Sequence, residues 1–409
     1  LVGLEGVKIV DASSYVTGPM ATMMLADLGA DVVKVEPPGG DPYRRIRSRD
    51  AKVSVGALNV NRGKRSIVLD LKDQDDRATF HELLSGAAAF VENWRPGVAA
   101  RLGLGDDVIG ERHPSLIHLA ISGFGPDGPL VAQGAFDSLL QARTGLALLR
   151  PHEGRPASLP TYLADKVTSV LAAQTLLAAL FHRERTGRGG RVDVPMLDAV
   201  AYFNFPDVFE ARTLIEAPPP DGAWRGVATQ ASTTARTSDG WIAISPTTRG
   251  QVEATCNVAG HPEWIDELAA HMRYGEIFPR LIALLETVTT SNTTTYWLGR
   301  LEAADVPAAP VLDLDGHLAD PQVLHNRIYG QLEDASAGPV RYARHPGHIE
   351  VPSPEPGVRP APGVRPAPLP DQHRAEILAE LRERDRVKVG GLAQPSATST
   401  TQTQNGRNP

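Results

Sequence analysis

The segment from Val7 to Glu36 allows few folds. Val7-Lys8-Ile9-Val10-Asp11 is apolar and β-branched, and reads as a buried strand. Ser13 to Gly18 reads as a loop, and Pro19 suits the first turn of a helix, where its missing N–H costs nothing. Met20 to Leu28 is apolar and helical, Gly29 is a natural stop, and Asp31 to Glu36 is a second strand. Strand, helix and strand in so short a stretch make a βαβ unit, whose strands run parallel. The alternation continues through Ser66–Leu69, Gln74–Ser85, Ala88–Val91 and Leu116–Ile121. It predicts an α/β chain with an open, doubly wound parallel sheet of the Rossmann-like kind.

The 409 residues are long for one compact domain. Ala135–Leu149 and Asp165–Arg185 read as helices, and Arg191–Val194 as a strand. The Pro-rich run Ala217–Asp221 reads as a connector to a smaller α+β domain. That domain is expected to hold a strand at Trp241–Ser245 and helices at Gln251–Val258, Pro279–Thr289 and Thr294–Ala304. Pro352–Pro370 contains a tandem hexamer and reads as an extended linker, followed by a helix at His373–Arg384. Residues 393–409 are polar and are expected to be disordered. The expected division is 1–216 large domain, 217–330 small domain, 331–390 linker and return to the large domain, and 391–409 tail.

The net charge of −7 argues against a nucleic-acid surface, which needs a basic excess. The single cysteine, Cys256, rules out a disulfide within the chain and reads as a buried helix residue. No zinc-ligand spacing is present, so no metal is expected. No apolar run is read as a membrane span, and a soluble cytoplasmic protein is expected.

Several loops fall where such a sheet binds ligands. Tyr15-Val16-Thr17-Gly18-Pro19 lies at a strand-to-helix switch, where Gly18 permits close approach of the backbone. It is a ligand loop or simply a tight turn. Arg62, Lys64 and Arg65 form a basic cluster that suits phosphate clamping or plain solvation. Glu92-Asn93-Trp94-Arg95-Pro96-Gly97 follows a strand end, and Trp94 either stacks on a purine or seals the loop. Asp165, at the head of a long apolar helix, is either a cap or a nucleophile kept ionised by nearby amides.

These segments, in this order, resemble the class III coenzyme A transferases, the family of carnitine-dehydratase-like and bile-acid-inducible proteins. The elements that carry the resemblance are Leu4–Val7, Gly18-Pro19, Ala26–Glu36, Lys64–Ser66, Glu92–Gly97, Ile121–Gly125, Tyr162–Asp165 and His182–Gly189. It is close to about Ala201 and thinner to about Arg327. The resemblance implies a transferase that moves coenzyme A from an acyl-CoA to a small carboxylic acid. Its nucleophile would be Asp165, with Asp137 orienting groups around it. Coenzyme A, a substrate and not a tightly bound cofactor, would be held by Val16, Asn93, Trp94 and Arg101, near Thr17 and Gly18. Lys64 and Arg65 are further phosphate candidates. The implied assembly is a homodimer of interlocked chains.

The sequence departs from the family in places. Thr17 replaces a glutamine of formyl-CoA transferases, and the glycine-rich lid is reduced to Pro246–Gln251. The usual C-terminal Gly-Glu-His-Thr has become Asp371–Arg374. Two rivals are an α-methylacyl-CoA racemase and a CoA-binding protein without turnover. The racemase needs a histidine where this chain has Phe136, which cannot take a proton.

Overall fold

The structure is a computed structural model and describes residues 3–46, 53–149, 154–209, 212–213, 215–216, 233–269, 274–347 and 364–392. The Pro-rich run at 217–221, the tandem hexamer up to residue 363 and the tail from 393 lie outside the described residues.

The N-terminal half runs β1 (Lys8–Asp11), α1 (Thr17–Asp27), β2 (Asp31–Glu36), α2 (Val55–Asn61), β3 (Arg65–Val68), α3 (Gln74–Ser85) and β4 (Ala89–Glu92). It continues with α4 (Val98–Arg101), α5 (Asp106–Arg112), β5 (Ile117–Ser122), α6 (Asp137–Arg143), α7 (Leu163–Thr186), β6 (Gly190–Pro195) and α8 (Met196–Asn204). The six strands form one sheet in the order β3-β2-β1-β4-β5-β6, all parallel. This is the doubly wound order, which reverses direction between β1 and β4. Strands buried on both faces explain the continuous apolar runs that betrayed them in the sequence. One face is covered by α1, α7 and α8 through Ala21, Leu25, Ala172, Leu176 and Val200. The other is covered by α3 and α5 through Phe80, Leu84 and Ile109.

The second part runs β7 (Thr234–Arg236), β8 (Trp241–Ile244), α9 (Arg249–Ala259), α10 (Trp264–Ala269), α11 (Tyr274–Thr289), α12 (Thr294–Ala303) and β9 (Ala308–Pro310). Its strands form an antiparallel sheet over a separate core that includes Ile242, Cys256, Leu281 and Trp297. Cys256 is fully buried in α9, as expected. Next come α13 (Leu314–Ala319), α14 (Pro321–His325) and an antiparallel hairpin of β10 (Tyr329–Asp334) and β11 (Gly338–Ala343). Finally α15 (Arg374–Leu392) returns to the large sheet, placing Ile377 and Leu381 in the core beside α3.

This return closes the open edge of β3. Asp371 accepts the Val68 N–H at 2.7 Å, and His373 Nδ1 accepts the Ser66 N–H at 3.2 Å. An exposed strand edge is a template for unwanted pairing, and here side chains occupy it.

Three expectations are corrected. The helix read over Ala135–Leu149 stops at Arg143, because Gly145 turns into the left-handed region at φ 82°. The helix read from Pro279 begins one turn earlier, at Tyr274. One helix, α7, is long and apolar enough to cross a membrane by length and composition, contrary to the sequence reading. Its residues Ala164, Ala172 and Leu176 are instead packed into the core of the sheet.

Candidate active site

The strand order reverses between β1 and β4, so the loops leaving their C-terminal ends diverge and open a crevice. Asn93, just past β4, spans it. Its Oδ1 accepts the Ser14 N–H at 2.8 Å and its Nδ2 donates to the Ser14 carbonyl at 2.7 Å. Gly18 opens α1 against the β1 loop. A Cβ there would stand 2.3 Å from the Ser13 Cβ, so only glycine fits.

A cavity of about 1030 Å³ lies over the crevice. Val16, Thr17, Asn93, Trp94, Asp137 and Asp165 all line it. Residues more than a hundred positions apart are thus brought to one place.

Asp165 sits in the first turn of α7. Its side chain does not cap the helix. Asp137, at the start of α6, accepts the Asp165 N–H at 3.1 Å instead. Asp137 is itself held by Gln141, one turn on, which donates to its Oδ1 at 2.5 Å. Gln141 also donates to the Thr161 carbonyl at 3.1 Å and accepts the Leu159 N–H at 2.8 Å, which fixes the strand of chain entering α7.

The Asp165 carboxylate accepts the Thr17 hydroxyl. Ser169 then donates to the Thr17 carbonyl at 2.8 Å and to the Asp165 carbonyl at 2.7 Å, tying α1 to α7. Burial pushes the Asp165 carboxyl up to about 6. The Thr17 hydrogen bond opposes this and the neighbouring Asp137 charge adds to it. The expected stabilisation of the anion by backbone amides is therefore corrected, since desolvation outweighs the one hydroxyl that serves it.

Trp94 lies with its ring tilted against Phe90, centroids 5.8 Å apart, and its backbone N–H is accepted by the Glu92 carboxylate at 2.5 Å. Arg101 is exposed in the last turn of α4 and does not line the cavity.

Lys64 and Arg65 are not brought to the cavity. Lys64 is 1% exposed and donates to Asp11 at 2.8 Å, to Asn61 at 2.9 Å and to the Pro19 carbonyl at 2.8 Å. Burial pushes its ammonium down to about 8, partly offset by Asp11. The burial of Asp11 opposes its charge, but Lys64 and Lys34 hold it well below the usual carboxylate range. Arg65 is taken up by Asp31 at 2.7 Å, Glu376 at 2.9 Å and Glu380 at 2.7 Å. Lys64 is taken up by one carboxylate, one amide oxygen and one carbonyl, and Arg65 by three carboxylates, so both cations serve the fold.

The reduced lid, Pro246–Gln251, does not line the cavity either. Thr248 and Gln251 form a capping box that starts α9.

The family model described as CoA-transferase family III matches residues 4–365. The chain belongs to that family. The transferase is 34% identical over 315 residues to the probable fatty acyl-CoA transferase Rv3272 of Mycobacterium tuberculosis, covering 73% of this chain and 80% of that one. It is 31% identical to the human succinyl-CoA:glutarate CoA-transferase, over 95% of this chain and 88% of that one. The crystal structure of a CAIB/BAIF family protein from Brucella suis matches with a TM-score of 0.77 at 25% identity, over 93% of this chain and 99% of that one. The transferase is therefore an enzyme acting on coenzyme A thioesters.

Sequence reasoning named the loops that carry Tyr15, Arg95 and Tyr162 without singling out these side chains, and it missed Tyr43 and Phe136 as cavity-lining residues and Gln141 as the residue that holds Asp137. For Gln141 a signal was present, since it stands four residues after Asp137 on one helix face. For the aromatics there was none, because their gathering depends on four separate segments between the strands and helices.

Proposed function

We propose that the transferase moves coenzyme A from an acyl-CoA to a carboxylic acid through covalent attachment at Asp165. The supporting observation is the Asp165 carboxylate, held by Thr17 and lining the cavity at the strand reversal. A carboxylate oxygen attacks the thioester carbonyl carbon, the C–S bond breaks, and the CoA thiolate leaves behind a mixed anhydride. The thiolate attacks the Asp165 carbonyl carbon and expels the donor acid as its carboxylate. An acceptor carboxylate attacks the resulting aspartyl thioester and releases the thiolate again. The thiolate attacks the acceptor carbonyl, forms the new thioester, and returns Asp165 as a carboxylate. No proton is consumed, and each step exchanges one acyl bond for another of similar free energy.

Val16, Asn93 and Trp94 line the cavity and are proposed to contact coenzyme A, and the exposed Arg101 of α4 is proposed to meet its phosphates. Lys64 and Arg65 are left out because their charges are already paired. Racemase chemistry is disfavoured, since no histidine lines the cavity among the described residues and Phe136 precedes Asp137. A homodimer is proposed as the working unit. Supporting it, Phe181, Tyr202, Phe203 and Phe205 on α7 and α8 and just after them are 65%, 74%, 56% and 53% exposed, large aromatic side chains of the kind that interfaces cover. Light scattering of the purified protein at twice the chain mass is the expected result.

The experiment is incubation with a panel of acyl-CoAs, trapping with hydroxylamine and mapping by mass spectrometry. A hydroxamate at Asp165 is expected. Undiminished exchange by Asp165→Ala would sink the proposal.

A further inference from the structure

We infer that the acid handled at Asp165 is a monocarboxylic acid with an apolar tail, an aryl or alkyl chain without a second carboxylate. This rests on the transferase reading above. The observation is a collar of aromatic rings around the reactive carboxylate. Tyr15, Phe136 and Tyr162 line the cavity and are 38%, 62% and 52% exposed. Large rings left open to water at one spot mark a binding surface. Tyr15 stands two residues before Thr17, Phe136 directly precedes Asp137, and Tyr162 is the residue before α7. The backbone that positions the polar groups therefore positions the rings as well.

The rings are arranged rather than scattered. Tyr15 meets Phe136 edge to face, with centroids 6.2 Å apart at 86°, and lies 6.4 Å from Tyr43. An edge-to-face pair offers both a ring edge and a ring face to a third apolar group. Tyr15 is held there at a cost, since its φ of 66° lies in the left-handed region that a bulky residue avoids. Its N–H is taken by Asp41 at 3.2 Å, and Asp41 is anchored by buried Lys34 at 3.1 Å.

Charge points the same way. The carboxylates lining the cavity are Asp137 and Asp165, and its one cation among the described residues is Arg95. Arg95 also lines a neighbouring cavity, where Arg191 pairs with Asp106 and Asp193 and where Glu92 and Asp107 add further negative charge. Lys166, next to Asp165 in the chain, does not line the cavity and gives its ammonium to Thr161 at 2.8 Å. A second carboxylate on the substrate would meet the aromatic collar and the charges of Asp137 and Asp165, with Arg95 as the one cation to offset all three, which is costly. An alkyl or aryl tail would cover the rings instead.

The test compares CoA exchange to labelled acetate from hexanoyl-CoA, phenylacetyl-CoA, succinyl-CoA and glutaryl-CoA. The apolar donors are expected to exceed the dicarboxylic ones in kcat/KM by about tenfold or more. Phe136→Asn is expected to cut that ratio by about tenfold. Phe136 is largely exposed, so the variant should fold. A preference for succinyl-CoA or glutaryl-CoA, or a ratio that Phe136→Asn leaves alone, overturns the inference while keeping the transferase. If no donor exchanges and no hydroxamate forms at Asp165, the covalent reading fails, and binding of unreactive thioethers decides the inference. S-hexyl-CoA binding about tenfold tighter than its ω-carboxylated counterpart upholds it. Equal or reversed affinities overturn it.

Discussion

The carboxylate of Asp137 accepts the backbone N–H of Asp165 at 3.1 Å. One acid thus performs the capping that sequence pattern would assign to the other, and the Asp165 side chain is left free to face the cavity. The same contact tunes it, because the nearby Asp137 charge adds to the effect of burial in raising the Asp165 carboxyl. Placement and tuning come from a single pair.

Exchange should follow the ionisation of Asp165. Its carboxyl sits at about 6, so kcat/KM is expected to rise with pH through about 6 and level off above it. Asp137→Asn keeps an oxygen for the Asp165 N–H and removes the charge, so the limb should move to lower pH. Thr17→Val removes the hydrogen bond that favours the anion, so the limb should move up by about half to one unit. A pH–rate profile of each variant checks the pair, and limbs that stay in place would refute this account of the tuning.

Asp165 should weaken the fold it serves. A carboxyl raised from 3.8 to about 6 favours the folded state when protonated, and that contribution is lost as pH rises through the folded value. Asp165→Asn is therefore expected to stabilise the protein at pH 8 by about 1–3 kcal/mol, discounted for partial exposure. The gain should shrink as pH falls towards 4. Chemical denaturation at both pH values would show it, and an equal effect at each would count against it.

Much of the large sheet could be read from the chain because its strands are continuous apolar runs. Val32, Val33 and Val35, or Ile117, Leu119 and Ile121, admit little else. Helix α2 escaped notice because Val55–Asn61 is short and its start is marked only by Ser54. The hairpin of β10 and β11 escaped because Gly330, Gly338 and Pro339 interrupt its pattern. Of the candidate site, Asp165, Asp137 and the two crevice loops were legible as segments that line one cavity. The basic cluster misled, since the partners that neutralise it are remote. Asp11 lies 53 residues from Lys64, and Glu376 lies 311 from Arg65. No local pattern records such pairings.

Lys64→Met should destabilise the protein by about 3–5 kcal/mol, because it removes a partner from a buried carboxylate at Asp11. Urea denaturation of the variant measures the cost. A negligible loss would mean that Lys34 alone suffices for Asp11 and would return Lys64 to the phosphate candidates.

The buried pair His81 and His113 should make the protein acid-sensitive. Their ring nitrogens lie 3.1 Å apart, and the rings stack at 17°. Burial, then the charges of Arg112 and His113, pushes His81 down to about 4. The unfolded chain therefore binds more protons between about 4 and 6.5, and stability is full above 6.5 and drains as pH falls towards 4. His81→Gln should flatten that slope in melts recorded between these values. An unchanged slope would place the acid sensitivity elsewhere.

The side chains that seal the β3 edge belong to a much later part of the chain. Asp371 is 303 residues downstream of Val68. At about 5–20 residues per second, a ribosome needs roughly 15–60 s to cover that distance. Through that interval the newborn sheet carries a bare flank at Ser66 and Val68, open to any extended segment nearby. The length of that wait is a property of chain order alone, and no strengthening of the finished fold shortens it.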